Sequence, residues 1–274
     1  MLETIWFILW ALLWAVYFVL DGFDLGLGSL LPFLGKNETE RRIMYNAAGP
    51  FWDGNEVWLI SAGGVTFAAF PKAYAVMFSA LYAPLLILLF ALIFRAVSFE
   101  FRNKVDSPVW CTFWDGVHFV SNLIPCILLG VAFANLFMGI PIDAQGVYHG
   151  NLLKLLNIYG LAGGVFFLVF FMMHGALWLT IKSEGPLQIR ALTMVNILWP
   201  VLLGLLIIFL VLTAVYTNLF ANYLVSPALF ILPLLALAGL VGVKVMLRRG
   251  QLWPAWACSA AFIVFVTFFG AAGM

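Results

Sequence analysis

The chain has 274 residues, 65% of them hydrophobic and only 9% charged, with a formal net charge of +1. Soluble domains carry about a quarter charged residues, so this composition excludes a soluble globular protein and describes one that crosses a membrane repeatedly. The near-neutral charge has no basic stripe, which excludes a nucleic-acid partner. Cys111, Cys126 and Cys258 are too far apart for a disulfide framework or a metal-binding pair.

An apolar run of about 20 residues crosses a bilayer as a helix. Eight such runs follow in order: 4–33, 46–69, 73–97, 113–138, 155–181, 191–216, 226–247 and 252–272. The first lacks a basic leader and a small-residue cleavage site, so it reads as a retained span rather than a signal peptide. It ends on DGFD, placing Asp21 and Asp24 in apolar surroundings, where an aspartate costs roughly 2.5–3.5 kcal/mol at a helix centre. The second opens on WDGNEVW, which brings Trp52, Asp53, Asn55, Glu56 and Trp58. The third carries Arg95 near its end and runs out into Glu100 and Arg102, and the fourth opens with Asp115 and His118. His174 lies in the fifth, and only Asp143 and Glu184 follow residue 139 among the acids.

The connections are short and hold most of the charge. Eleven of the thirteen Lys and Arg residues fall on one side of the predicted bundle; only Lys72 and Lys154 fall on the other. By the positive-inside rule the first side is cytoplasmic and the N-terminus lies outside. Eight spans divide into two fours, each returning to its starting side. The expected fold is all-α and polytopic, two four-helix bundles over 1–141 and 142–274 in a pseudo-symmetric parallel repeat.

On this topology Asp21, Asp24, Asp53, Glu56, Glu100 and Asp115 gather in the cytoplasmic half of the first bundle. Asp21 and Asp24 share a helix face through i,i+3 spacing, as do Asp53 and Glu56. Two readings stand. The acids hold the bundle together by capping helices and pairing with Arg95, or they form a half-channel for protons from the cytoplasm. The matching depth of His118 and His174 would permit a bis-histidine haem, although a hydrogen-bonded histidine is the commoner outcome. The aromatic residues read first as lipid-facing bulk and belt anchors. Midmembrane acids and two repeat halves also fit a proton-coupled secondary transporter.

Longer motifs narrow the choice. The stretch DGFDLGLGSLLPFLGKNETERRIMYNAAGPFWDGNEVWLISAGGVTFAAFP (21–71) closely resembles the start of subunit II of cytochrome bd-type quinol oxidases. FRAVSFEFR (94–102), FWDG (113–116) and GVAFANLFMGIP (130–141) match further along in the same order, with weaker collinear likeness through NIYGLAGG (157–164) and RRGQLWPAWACSAAF (248–262). The resemblance implies a complex in the bacterial cytoplasmic membrane that oxidises quinol and reduces dioxygen to water. Two haems b and one haem d would sit in a partner, subunit I, and this chain would hold no metal and no catalytic residue. It would support assembly and haem retention and carry protons from the cytoplasm along Asp21, Asp24, Asp53, Asn55, Glu56, Glu100 and Asp115. Trp52, Trp58, Arg95, Arg102 and His118 would support that path. His174 stands where some relatives have Gln, which weighs against a haem ligand there. The resemblance also allows a small single-span accessory subunit and a structural quinone or lipid in this chain. Relatives usually have a ninth, peripheral span that this sequence does not include.

Overall fold

The structure, a computed structural model, describes residues 2–143 and 147–274. The described residues form thirteen α-helices and one 3-10 turn, with no strand. In chain order these are α1 (Leu2–Ser29), α2 (Leu31–Leu34), α3 (Glu38–Ala48), α4 (Trp52–Ala69), α5 (Pro71–Ala80), α6 (Tyr82–Phe101), α7 (Pro108–Met138), α8 (Leu152–Leu155), α9 (Ile158–Lys182), α10 (Gly185–Tyr216), α11 (Phe220–Val225), α12 (Ile231–Arg248) and α13 (Leu252–Gly273). The 3-10 turn, Pro227–Phe230, leads into α12.

Among the described residues seven helices are long and apolar enough to cross a membrane: α1, α6, α7, α9, α10, α12 with its 3-10 turn, and α13. The second expected span, 46–69, differs. Its first residues finish α3, the chain turns at Gly49 and Pro50, and only 18 residues, Trp52–Ala69, form α4. Eighteen residues rise about 27 Å, slightly less than the ~30 Å hydrocarbon core, and Asp53, Asn55 and Glu56 occupy the first turns. The third expected span is also divided, at Leu81. Pro84 has no N–H to give to the carbonyl of residue 80, which suits it to the first turn of a new helix.

α3 is short and polar, and its start is fixed by local hydrogen bonds. Asn37 accepts from Glu40 N at 2.9 Å, and Glu40 Oε2 accepts from Lys36 N at 2.8 Å. Glu38 and Glu40 also place negative charge at the positive end of the helix dipole.

α1 and α9 form the centre. α1 packs against α4, α7, α9 and α13, and α9 against α1, α7, α10 and α13. A Cβ at Gly26 would strike the Phe171 carbonyl and one at Gly175 would strike the backbone of Leu27, so α1 and α9 approach as closely as two backbones can. The pairs α1–α4, α1–α7 and α6–α7 recur as α9–α10, α9–α13 and α12–α13, and the cross pair α1–α13 has its counterpart in α9–α7. Each half therefore repeats one arrangement of four helices. The outer faces of α10 and α12 remain apolar and exposed, for instance at Ile207, Val211, Leu234 and Val241, as surfaces meant for lipid or another membrane helix are.

Candidate functional site

Arg95 of α6 is fully buried and is the hub of the site. Its Nη2 lies 2.7 Å from Asp21 Oδ1 and 2.5 Å from Glu56 Oε1, and its Nε donates to the same Glu56 oxygen at 3.1 Å. One guanidinium thus joins α1, α4 and α6. Asp24, one turn from Asp21, accepts from Asn55 Nδ2 at 2.7 Å, and that amide also donates to Leu20 O at 3.1 Å. Asp21 Oδ2, Asp24 Oδ1 and Arg95 Nη1 are buried with no hydrogen bond to a described residue. Buried polar atoms of this kind are ordinarily satisfied by water. Two carboxyl groups thus pair with one guanidinium, and a third, Asp24, lies a turn away on Asn55.

A second network closes the same end of the bundle. Arg102 donates from Nε to Asp115 Oδ1 at 2.6 Å and grips Glu38 with both Nη atoms, each at 2.9 Å. Arg41 reaches Asp115 Oδ2 at 3.0 Å. Arg190 of α10 pairs with Glu40 at 2.5 Å and donates to the Leu34 carbonyl. α3 is thereby tied to α6, α7 and α10. The hydrogen bond from Arg102 holds the Glu38 carboxyl below the usual glutamate range, and Arg190 does the same for Glu40.

The sequence-predicted residues divide into two groups and some outliers in the structure. Asp21, Asp24, Asn55, Glu56 and Arg95 come together. Asp115 and Arg102 meet in the outer network. Asp53 does not share the inward face with Glu56: it is exposed and accepts only from the N–H of its neighbour Gly54 at 2.8 Å. Glu100 is exposed as well. Trp52 stacks on Phe99 at 5.3 Å, and Trp58 is half-buried beside the core. Glu38, Glu40, Arg41 and Arg190 belong to the outer network yet were not among the predicted residues. The run ETERR (38–42) signals charge, but only the fold shows which charges face inward.

The two histidines differ in what their ring nitrogens meet. His174 Nε2 faces the Val19 carbonyl at 3.1 Å, which can only accept, so Nε2 carries the ring proton. Its Nδ1 then accepts from Ser259 Oγ at 2.9 Å, and both nitrogens are engaged. His118 binds Ser98 and lies tilted against Tyr45, with ring centroids 4.4 Å apart. His174 therefore has no free ring nitrogen with which to complete a bis-histidine pair. Among the described residues no group of three His, Cys, Asp or Glu side chains is placed to hold a metal. Two apolar cavities of about 670 Å³ flank Trp14 of α1, one toward Phe166 and Phe209, the other toward Leu85 and Phe67.

The family model described as "Cytochrome bd terminal oxidase subunit II" matches residues 2–274. The chain is 45% identical over 221 residues to "Cytochrome bd ubiquinol oxidase subunit 2" of Bacillus subtilis (strain 168), which covers 81% of this chain and 65% of that protein. It is 42% identical over 194 residues to "Cytochrome bd-I ubiquinol oxidase subunit 2" of Escherichia coli (strain K12), covering 69% of this chain and 51% of that one. The chain thus spans between about half and two thirds of the length of these relatives. In fold it is similar to a chain of the solved bd oxidase from Geobacillus thermodenitrificans, with a TM-score of 0.81 over 99% of this chain and 83% of that one, at 17% identity.

Proposed function

This chain belongs to the cytochrome bd terminal oxidase subunit II family, and on that premise we propose that it is the non-haem-binding subunit of a complex that oxidises quinol and reduces dioxygen to water. Its partner is the subunit that carries two haems b and haem d. This chain stabilises that partner, keeps its haems in place and supplies a proton-uptake path from the cytoplasm.

One observation carries the proton reading: Asp21, Asp24 and Glu56 are gathered around the buried Arg95, with polar atoms left for water. Charged groups inside a membrane bundle are costly and generally face functional, hydrated interiors. Asp53, Glu100 and Asp115 are the outer positions, where protons arrive from the cytoplasmic face. That orientation rests on the distribution of Lys and Arg. The recurring helix pairs support two four-helix units divided near residue 141. The cavities beside Trp14 suit the apolar body of a lipid or quinone.

The non-haem role is tested by reduced-minus-oxidised spectra of the chain expressed alone and with its partner. The expected result is no haem signal from the chain alone and a full oxidase spectrum with the partner. A stoichiometric b-type band in the isolated chain that disappears in His118→Ala would overturn it.

A further inference from the structure

α6 and α7 face each other at the charged end in three layers, one helical turn apart. Arg102 meets Asp115, Ser98 meets His118, and Arg95 stands a turn deeper, with Asn122 at the corresponding position of α7. The middle layer lies between the ionic network at the surface and the buried carboxyl cluster. The proton path described above counts His118 only as a support and gives neither it nor Ser98 a step.

The state of His118 follows from Ser98. That hydroxyl donates to the Arg95 carbonyl at 2.6 Å, so its oxygen must accept from His118 Nδ1 at 2.8 Å. The ring proton is therefore on Nδ1, and Nε2 is a bare acceptor to which no described residue donates. The ring is held between Tyr45, tilted against it with centroids 4.4 Å apart, and Phe99, edge-on at 4.8 Å, and His118 is only 4% exposed. The charged and titratable groups around it are Tyr45 of α3, Arg95 and Arg102 of α6, and Asp115 on its own helix. A buried imidazole whose orientation is fixed through one nitrogen, with the other left bare, is arranged as an acid–base group.

We propose that His118 is a proton relay between the Arg102–Asp115 layer and the Arg95 cluster, with Ser98 as the positioning residue that aims it. This rests on the proton-path reading and adds a residue to it. Nε2 takes a proton from water on the surface side, giving the imidazolium, and returns one to water on the cluster side. One proton enters and one leaves, no electron moves, and the Nδ1–Ser98 bond persists throughout.

The test uses the co-expressed complex, with oxygen consumption per haem d at saturating quinol. His118→Gln can still reach Ser98 through its amide but cannot carry a proton. Turnover should fall about tenfold or more, with haem content unchanged. His118→Ala should fall likewise and be restored by added imidazole. A wild-type rate in His118→Gln beside a slowed Asp21→Asn overturns the relay and leaves the path standing. Wild-type rates in His118→Gln, Asp21→Asn and Glu56→Gln overturn the path and the relay with it. Loss of haem together with activity in both His118 variants, without imidazole rescue, makes the residue structural and also overturns the relay.

Discussion

At the scale of single residues, Arg95 decides whether the buried acids can be tolerated at all. Its side chain is fully buried and bonded to two carboxylates on different helices. Removing it leaves uncompensated negative charge, which costs about 3–5 kcal/mol for a buried pair. Arg95→Leu should therefore abolish accumulation of the folded chain, seen as loss of the monodisperse peak on size-exclusion chromatography in detergent. Asp21→Asn in the same background should recover part of it, because it removes one of the charges left over. Much of this site was legible in the sequence, since Asp21, Asp24, Glu56 and Arg95 are charges inside apolar runs and such charges are rare. The division between Asp53 and Glu56 was not. Their i,i+3 spacing puts them near each other on α4, but only the rotation of α4 against α1 and α6 decides which one points inward. His118 was singled out in the sequence, but its meeting with Ser98 was hidden, because it depends on the register between two helices.

At the scale of elements, α3 acts as a strap across the charged end, fastened by Glu38 to Arg102 and by Glu40 to Arg190. Both carboxyls are held below their ordinary range in the folded protein. A depressed folded value means the tie is fully present above the unfolded glutamate value of about 4.3 and is lost as pH falls through the folded one. Hydrogen exchange over residues 36–50, corrected for its intrinsic pH dependence, should therefore accelerate below about pH 4. Glu38→Gln should show part of the same loosening at neutral pH. The effect is modest because Glu38 is more than half exposed. The α1–α9 contact is stricter. A methyl group at Gly26 has only the Phe171 backbone to push against, so Gly26→Ala should cost about 1–3 kcal/mol as overpacking, read as a lower midpoint of thermal unfolding in detergent. The helix count was the least legible feature at this scale. Hydropathy merges the end of α3 with α4, while the Gly49–Pro50 turn and the Pro84 break act through backbone geometry that apolar runs do not register.

At the scale of the whole molecule, the four-helix arrangement repeats, but the acids do not, and the buried carboxyl cluster lies in the first repeat alone. α4 lines one side of that cluster, while a Cβ added at Gly63 or Gly64 further along it would meet nothing within 4 Å. If a partner helix packs there, Gly64→Ala should leave the isolated chain unchanged and lower the yield of the two-subunit complex, and high salt should not dissociate that complex in mild detergent. The central claim is that the carboxyls around Arg95 conduct protons rather than simply join helices. The most direct test is oxygen consumption per haem d by the complex carrying Asp21→Asn, measured across pH at saturating quinol. The substitution keeps the side chain's size and its capacity to hydrogen-bond while removing its exchangeable charge. The account predicts a reduced rate per haem with normal haem content and assembly. A wild-type rate per haem at every pH would contradict it.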